Sequence, residues 1–148
     1  PAEDNPFEQG NEQKRYNGKY VSFSYSAAYV LKSNETPVKG PVKESIFLTE
    51  SGFSGKKIAI IVEERAENSL EASPSFKIRL EKPEIYDKKP FIQRDFDGFL
   101  FEKNTQVFEE TAFFFAGRNI ISVSVTSSIS LEGLLEELER IVSGLIRQ

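Results

Sequence analysis

The chain changes its hydrophobic rhythm several times, and each change marks an element. From Lys19 onward apolar and polar residues alternate through Tyr20-Val21-Ser22-Phe23-Ser24-Tyr25. Val21, Phe23 and Tyr25 fall on one face and Tyr20, Ser22 and Ser24 on the other, which predicts a half-buried strand. Tyr29-Val30-Leu31 resumes it after Ser26-Ala27-Ala28. Two prolines and Gly40 between Asn34 and Pro41 predict a loop. Ser45-Ile46-Phe47-Leu48-Thr49 starts the next strand, and Ser51-Gly52-Phe53-Ser54-Gly55 turns the chain into Lys57 to Glu63. The unbroken run Ile58-Ala59-Ile60-Ile61-Val62 predicts a central strand covered on both faces and paired with its predecessor.

Residues 64–90 support two readings. Ser73-Pro74 predicts an N-cap with proline at the first helical position and a short helix to Glu81, while Phe76, Ile78 and Leu80 recur at period two and predict a strand. Beyond Pro90 the rhythm sharpens. Phe91 to Phe96 and Phe99 to Lys103 flank Asp97-Gly98, a two-residue hairpin signal. Val107 to Ala116 and Ile120 to Thr126 flank Gly117-Arg118-Asn119 and predict a second hairpin. In the last segment Leu131, Leu134, Leu135, Leu138, Ile141, Val142, Leu145 and Ile146 recur at steps of three and four, opposite Glu136, Glu137, Glu139, Arg140 and Arg147. That is an amphipathic helix, capped by Ser130, whose apolar stripe docks on the sheet.

The pattern is therefore α+β: an antiparallel sheet of about six strands packed against helices, closed by the C-terminal helix. Residues 1–18 are polar apart from Phe7 and Tyr16 and read as a flexible N-terminal tether, leaving 19–148 as one globular domain. The chain opens on Pro1, which raises the expectation of a removed leader. No stretch approaches the ~18 apolar residues of a membrane span.

Composition narrows the chemistry more than it defines it. The 148 residues contain no Cys, His, Met or Trp. Disulfides, thiolate or imidazole metal sites and triads that need histidine are excluded, so neither a catalytic residue, a cofactor site nor a metal ligand is assigned. Carboxylate chemistry remains open, since it needs only two Asp or Glu brought together by the fold. The net charge is −4. Both ends are acidic, the body is neutral, and no basic run exceeds a pair such as Lys56-Lys57 or Lys88-Lys89. Nucleic acid is not an expected partner, because polyanion binding needs a concentrated positive face.

Three clusters are candidate sites. Asp95-Phe96-Asp97-Gly98 resembles part of a calcium loop, yet Gln93 stands where its first Asp would be, and a hairpin turn accounts for it. Eight of the 13 phenylalanines lie between Phe91 and Phe115; they are either core packing or the lining of a small-ligand groove. Tyr16, Tyr20 and Tyr29, with Phe53, are the candidate binding surface.

The order of elements also resembles a known family. Tyr16-Asn17-Gly18 before a first strand Tyr20 to Tyr25, a hairpin-rich body, and a closing Ile121-Ser122-Val123-Ser124-Val125 followed by Leu134-Leu135-Glu136-Glu137-Leu138 and Ile141-Val142 are similar to the PsbP-like domain. That domain is shared by photosystem extrinsic proteins, a Ran-binding nuclear import factor and many bacterial lipoproteins. The resemblance implies an α/β/α sandwich. Members often carry Pro and Trp after the first strand, where this chain has Ser26-Ala27-Ala28-Tyr29, and it has no histidine for the metal contacts of some plant members. The bacterial lipoprotein branch is the nearest fit. The resulting expectation is a non-enzymatic binding or assembly module, monomeric, extracytoplasmic and tethered to a membrane, with another protein at the membrane surface as its partner. A small-ligand carrier and a carboxylate-dependent enzyme are the alternatives.

Overall fold

Residues that alternate in the same way end in two different sheets. The computed structural model describes residues 12–52 and 55–147. Strands β1 (Gln13–Asn17) and β2 (Val21–Ser26) pair antiparallel, with Tyr16 opposite Phe23. The last strand, β10 (Ile146–Arg147), adds to the other side of β2 to complete a three-stranded sheet. Tyr16, Val21, Phe23 and Tyr25 bury their rings and methyls on one side of it. Within the tether expected over 1–18, Gln13–Asn17 is strand, while residues 1–11 lie outside the described residues.

The second sheet has seven antiparallel strands rather than the six or so expected in all. They are β3 (Tyr29–Glu35), β4 (Val42–Glu50), β5 (Lys57–Glu64), β6 (Tyr86–Gln93), β7 (Phe96–Lys103), β8 (Phe108–Ala116) and β9 (Asn119–Ser127), in the order β3-β4-β5-β9-β8-β7-β6. The pairing of β4 with β5 and the hairpin β8–β9 agree with the sequence pattern, though the latter's turn is only Gly117-Arg118 and Asn119 already pairs with Ala116.

The hairpin at Asp97-Gly98 is a correction. β6 and β7 turn at Arg94-Asp95, with Arg94 at φ 58°, and Gly98 lies inside β7 between Phe91 and Phe114. A Cβ at Gly98 would sit 1.8 Å from the Phe113 carbonyl oxygen. Close approach of β8 therefore demands glycine there, and the Asp-Gly pair has nothing to do with turning. Arg94, at the actual turn, also ties it to the end of the chain, since its guanidinium donates to the carbonyls of Val142 (3.2 Å) and Leu145 (2.7 Å).

Between β5 and β6 the chain is helical. A 3-10 turn (Leu70–Ala72) leads into helix α1 (Pro74–Leu80), with Pro74 at the first position. Ser73 flanks the helix, but its hydroxyl donates to Glu63 Oε1 at 2.8 Å instead of capping it. The C-terminal helix α2 runs Leu134–Ser143, beginning at Gly133 (φ 80°) and not at Ser130. Gly144 ends it, which frees Leu145 to enter the core and Ile146 to pair with Ser22.

The inner face of the large sheet carries the main core. Ile46, Leu48, Ile58, Ile60, Val62, Val123 and Val125 meet Leu134, Leu138, Ile141 and Val142 of α2 and the apolar side of the small sheet. The outer face carries a smaller core in which Leu70, Phe76, Phe101, Phe113 and Ile120 lie under the 3-10 turn and α1. Among the described residues no helix is long and apolar enough to cross a membrane.

Candidate functional site

The aromatic surface expected at Tyr16, Tyr20, Tyr29 and Phe53 does not assemble from the described residues. Tyr16 is 7% and Tyr29 1% exposed, both within the inner core. Phe53 lies outside the described residues. The Tyr16 hydroxyl donates to Glu44 Oε2 at 2.5 Å, and burial first, then this bond, push its phenol up to about 12. Burial, with the charge of Glu137 nearby, pushes the Tyr29 phenol up further. Glu44 is itself 1% exposed and accepts the backbone N–H of Tyr20 at 2.9 Å and of Lys19 at 3.3 Å. A Cβ on Gly18 would lie 2.1 Å from Glu44 Oε2, so the bend after β1 needs glycine. Tyr16, Gly18 and Glu44 form a structural lock. Of the described candidates, Tyr20 alone stays half-buried at the surface.

The phenylalanines between 91 and 115 divide by strand alternation. Phe91, Phe96 and Phe114 stack in the inner core, and Phe101 and Phe113 meet Phe76 edge to face in the outer one. Phe99 and Phe115 are half-buried and, with Phe76 and Leu70, floor an open notch of about 370 Å³. The Lys88 ammonium stands 4.1 Å from the Phe99 ring centre.

Carboxylates approach one another across β7 and β8. Glu102 and Glu110 are directly opposite on β7 and β8. Glu110 is 2% exposed, and burial first, then its hydrogen bond to Glu102, push its carboxyl up to about 8. Neither residue lines the notch floored by Phe99 and Phe115. On the outer face Glu109 is occupied by Arg79 Nε at 2.7 Å and the Thr111 hydroxyl at 2.8 Å. These groups tie α1 to the sheet.

The feature that pattern reading missed lies beside the Gly117-Arg118 turn. Lys19 follows β1, Lys43 is on β4, Arg65 follows β5, Arg118 is in the turn itself and Arg147 is on β10. Both lysine ammoniums stand 5.5 Å from the Tyr20 ring centre, close enough for cation–π attraction. Lys43 Nζ donates to Asn119 Oδ1 at 2.8 Å. Arg65 lies 4.0 Å above Phe115 and donates to the Gly117 carbonyl at 3.2 Å. Tyr20, Lys43, Arg118, Asn119 and Arg147 line a concavity of about 420 Å³. Lys43, Arg65 and Arg118 line a second, of about 610 Å³, together with Glu64 and Glu67. No ion pair among the described residues involves any of the five cations. In a chain of net charge −4 this is a local concentration of unneutralised positive charge, the arrangement that attracts anionic groups. More than twenty residues separate successive members, so no run in the sequence could have announced it.

Comparison with solved structures identifies the fold. The chain superposes on the solution structure of cyanobacterial PsbP from Synechocystis with a TM-score of 0.64 at 8% identity, covering 92% of each chain. A crystal structure from Bacteroides thetaiotaomicron gives 0.55 at 11% identity, covering 91% of this chain and 48% of that one. This chain therefore spans about half of the Bacteroides protein. No family model matches the sequence, and no curated protein matches it by sequence. The fold is PsbP-like.

Proposed function

We propose that this chain is a non-enzymatic binding or assembly module, exported and tethered at a membrane in the manner of bacterial lipoproteins, and that its contact surface is the basic cleft around Tyr20 and the Gly117-Arg118 turn. One observation carries the contact surface: five cations from five segments converge there without an acidic partner within ion-pair distance among the described residues. A surface that holds unneutralised charge costs self-repulsion in the free protein and gains on association with an opposite charge. The likeness to cyanobacterial PsbP supports a non-catalytic module outside the cytoplasm.

In gel filtration of a native extract, the wild-type protein is expected to elute well above its 16.8 kDa mass. The double variant Lys43→Glu/Arg118→Glu should elute as the monomer with an unchanged Tm. Elution of the wild type as a monomer overturns the reading. Placement is tested by fractionating the source cells, where recovery with cytoplasmic markers removes the exported part.

The notch floored by Phe76, Phe99 and Phe115 favours a second reading, a carrier of a small apolar ligand. Native mass spectrometry of freshly isolated protein separates the two, because a carrier shows a retained mass that Phe99→Asp abolishes.

A further inference from the structure

The cations of the cleft do not surround one point. Lys43, Gly117 and Arg118 stand between the two concavities, of about 420 Å³ and about 610 Å³, and border both. A single small anion would use one of these spaces and leave the other empty. Positive side chains strung along both sides of a turn match an extended chain that carries several negative charges.

The two sides differ in sign. The side toward Tyr20 offers Lys43, Arg118 and Arg147 and no acid. The other offers Lys43, Arg65 and Arg118 beside two acids, Glu64 and Glu67. A lipid surface or a phosphate backbone presents uniform negative charge and would meet both glutamates as like charges. A peptide varies its charge from residue to residue, and a concave surface suits a strand-like segment better than a flat bilayer. Tyr20, with the Lys19 and Lys43 ammoniums each 5.5 Å from its ring centre, supplies an apolar contact within the charged surround.

We propose that this cleft receives an extended acidic peptide segment of a partner protein, its carboxylates over Lys43, Arg118 and Arg147 and its less acidic end against Glu64 and Glu67. This rests on the reading of the cleft as the contact surface.

The test uses a labelled peptide of ~10 residues with glutamates in one half and serines in the other, about 33 Å when extended, with fluorescence anisotropy as the readout. Vesicles containing phosphatidylglycerol are the comparison. The peptide is expected to bind saturably and to weaken as salt rises. Arg118→Glu should weaken it about tenfold and Glu67→Lys tighten it about threefold, each with an unchanged Tm. Absence of saturable binding, binding indifferent to both substitutions, or preference for the vesicles overturns the proposal. Should the peptide fail while Lys43→Glu/Arg118→Glu still dissolves the native assembly, the contact surface stands and only the acidic peptide is rejected.

Discussion

On the inner face of the large sheet Ile58, Ile60, Val62, Val123 and Val125 are all 1% exposed or less. On the outer face of the same two strands Ala59, Ile61, Ser124 and Thr126 are only half-buried, and neighbouring Phe47 is 41% exposed. The inner face is covered along its length by α2 and the small sheet. Among the described residues the outer face receives the 3-10 turn and the seven residues of α1, which reach Phe99, Phe101 and Phe113 on β7 and β8 and Ile120 near the start of β9 but leave most of the β4–β5–β9 half open. The apolar run of β5 thus predicts more cover than it receives. A strand's own pattern states which faces tolerate burial; the length of what lies on top decides how much is buried.

The largest effect that would break this contrast comes from the inner face. Leu138 is 0% exposed, and Leu138→Asp places a carboxylate in the main core at a cost of several kcal/mol against a total stability of about 5–15. Circular dichroism should show loss of the cooperative transition. A well-folded monomer would mean that α2 is dispensable to the core.

Next comes the covered half of the outer face, where Phe76→Ala removes a ring that is 2% exposed. Such a truncation costs about 3–5 kcal/mol, so Tm should fall by about 12 °C or more at roughly 4 °C per kcal/mol. Amide exchange should accelerate in α1 while β9 keeps its protection. Equal loss of protection in both would show one cooperative core in place of two.

The third prediction is a pH dependence set on the inner face. Glu110 has a folded-state pKa of about 8 against an ordinary 4.5. The folded protein therefore holds a proton that the unfolded chain releases. This contribution is complete below about 4.5, declines as pH rises, and is gone once pH passes about 8. Thermal melts between those limits should show Tm falling with pH, and Glu110→Gln should flatten the slope. A slope unchanged in the variant would assign the dependence to other groups.

The smallest effect belongs to the open half of the outer face. Phe47→Thr keeps β-propensity and removes a ring that is already 41% exposed, so stability should change by no more than about 0.5 kcal/mol. A drop comparable to that of Phe76→Ala would show that this half is covered in solution.

Much of the architecture is legible in the residues. The alternation of Ile121, Val123 and Val125 with Ser122, Ser124 and Thr126 correctly separates the inner from the outer face. The spacing of Leu134, Leu138, Ile141 and Val142 correctly names the buried stripe of α2. The errors share a cause, which is that one local signal serves two structural ends. Gly98 reads as a turn residue because glycine suits both turns and close approaches, and Ser130 reads as a cap because Leu131 falls on the helix's apolar spacing one turn ahead of Leu134. Of the candidate binding surface only Tyr20 remains at the surface among the described residues, since an aromatic ring in a short strand is equally suited to a core or a contact face.

Local pattern and composition suffice for the strands with a strict two-residue period, the amphipathic helix, and the exclusion of cysteine and histidine chemistry. Each of these is a property of a residue count or of a repeat within about ten neighbours. Three-dimensional pairing is what brings Ile146–Arg147 to the small sheet, sets Glu102 against Glu110, and gathers Lys19, Lys43, Arg65, Arg118 and Arg147 near one turn. Those meetings depend on strand order and register. A shift of one residue reverses which face a side chain occupies, and no local periodicity carries that information.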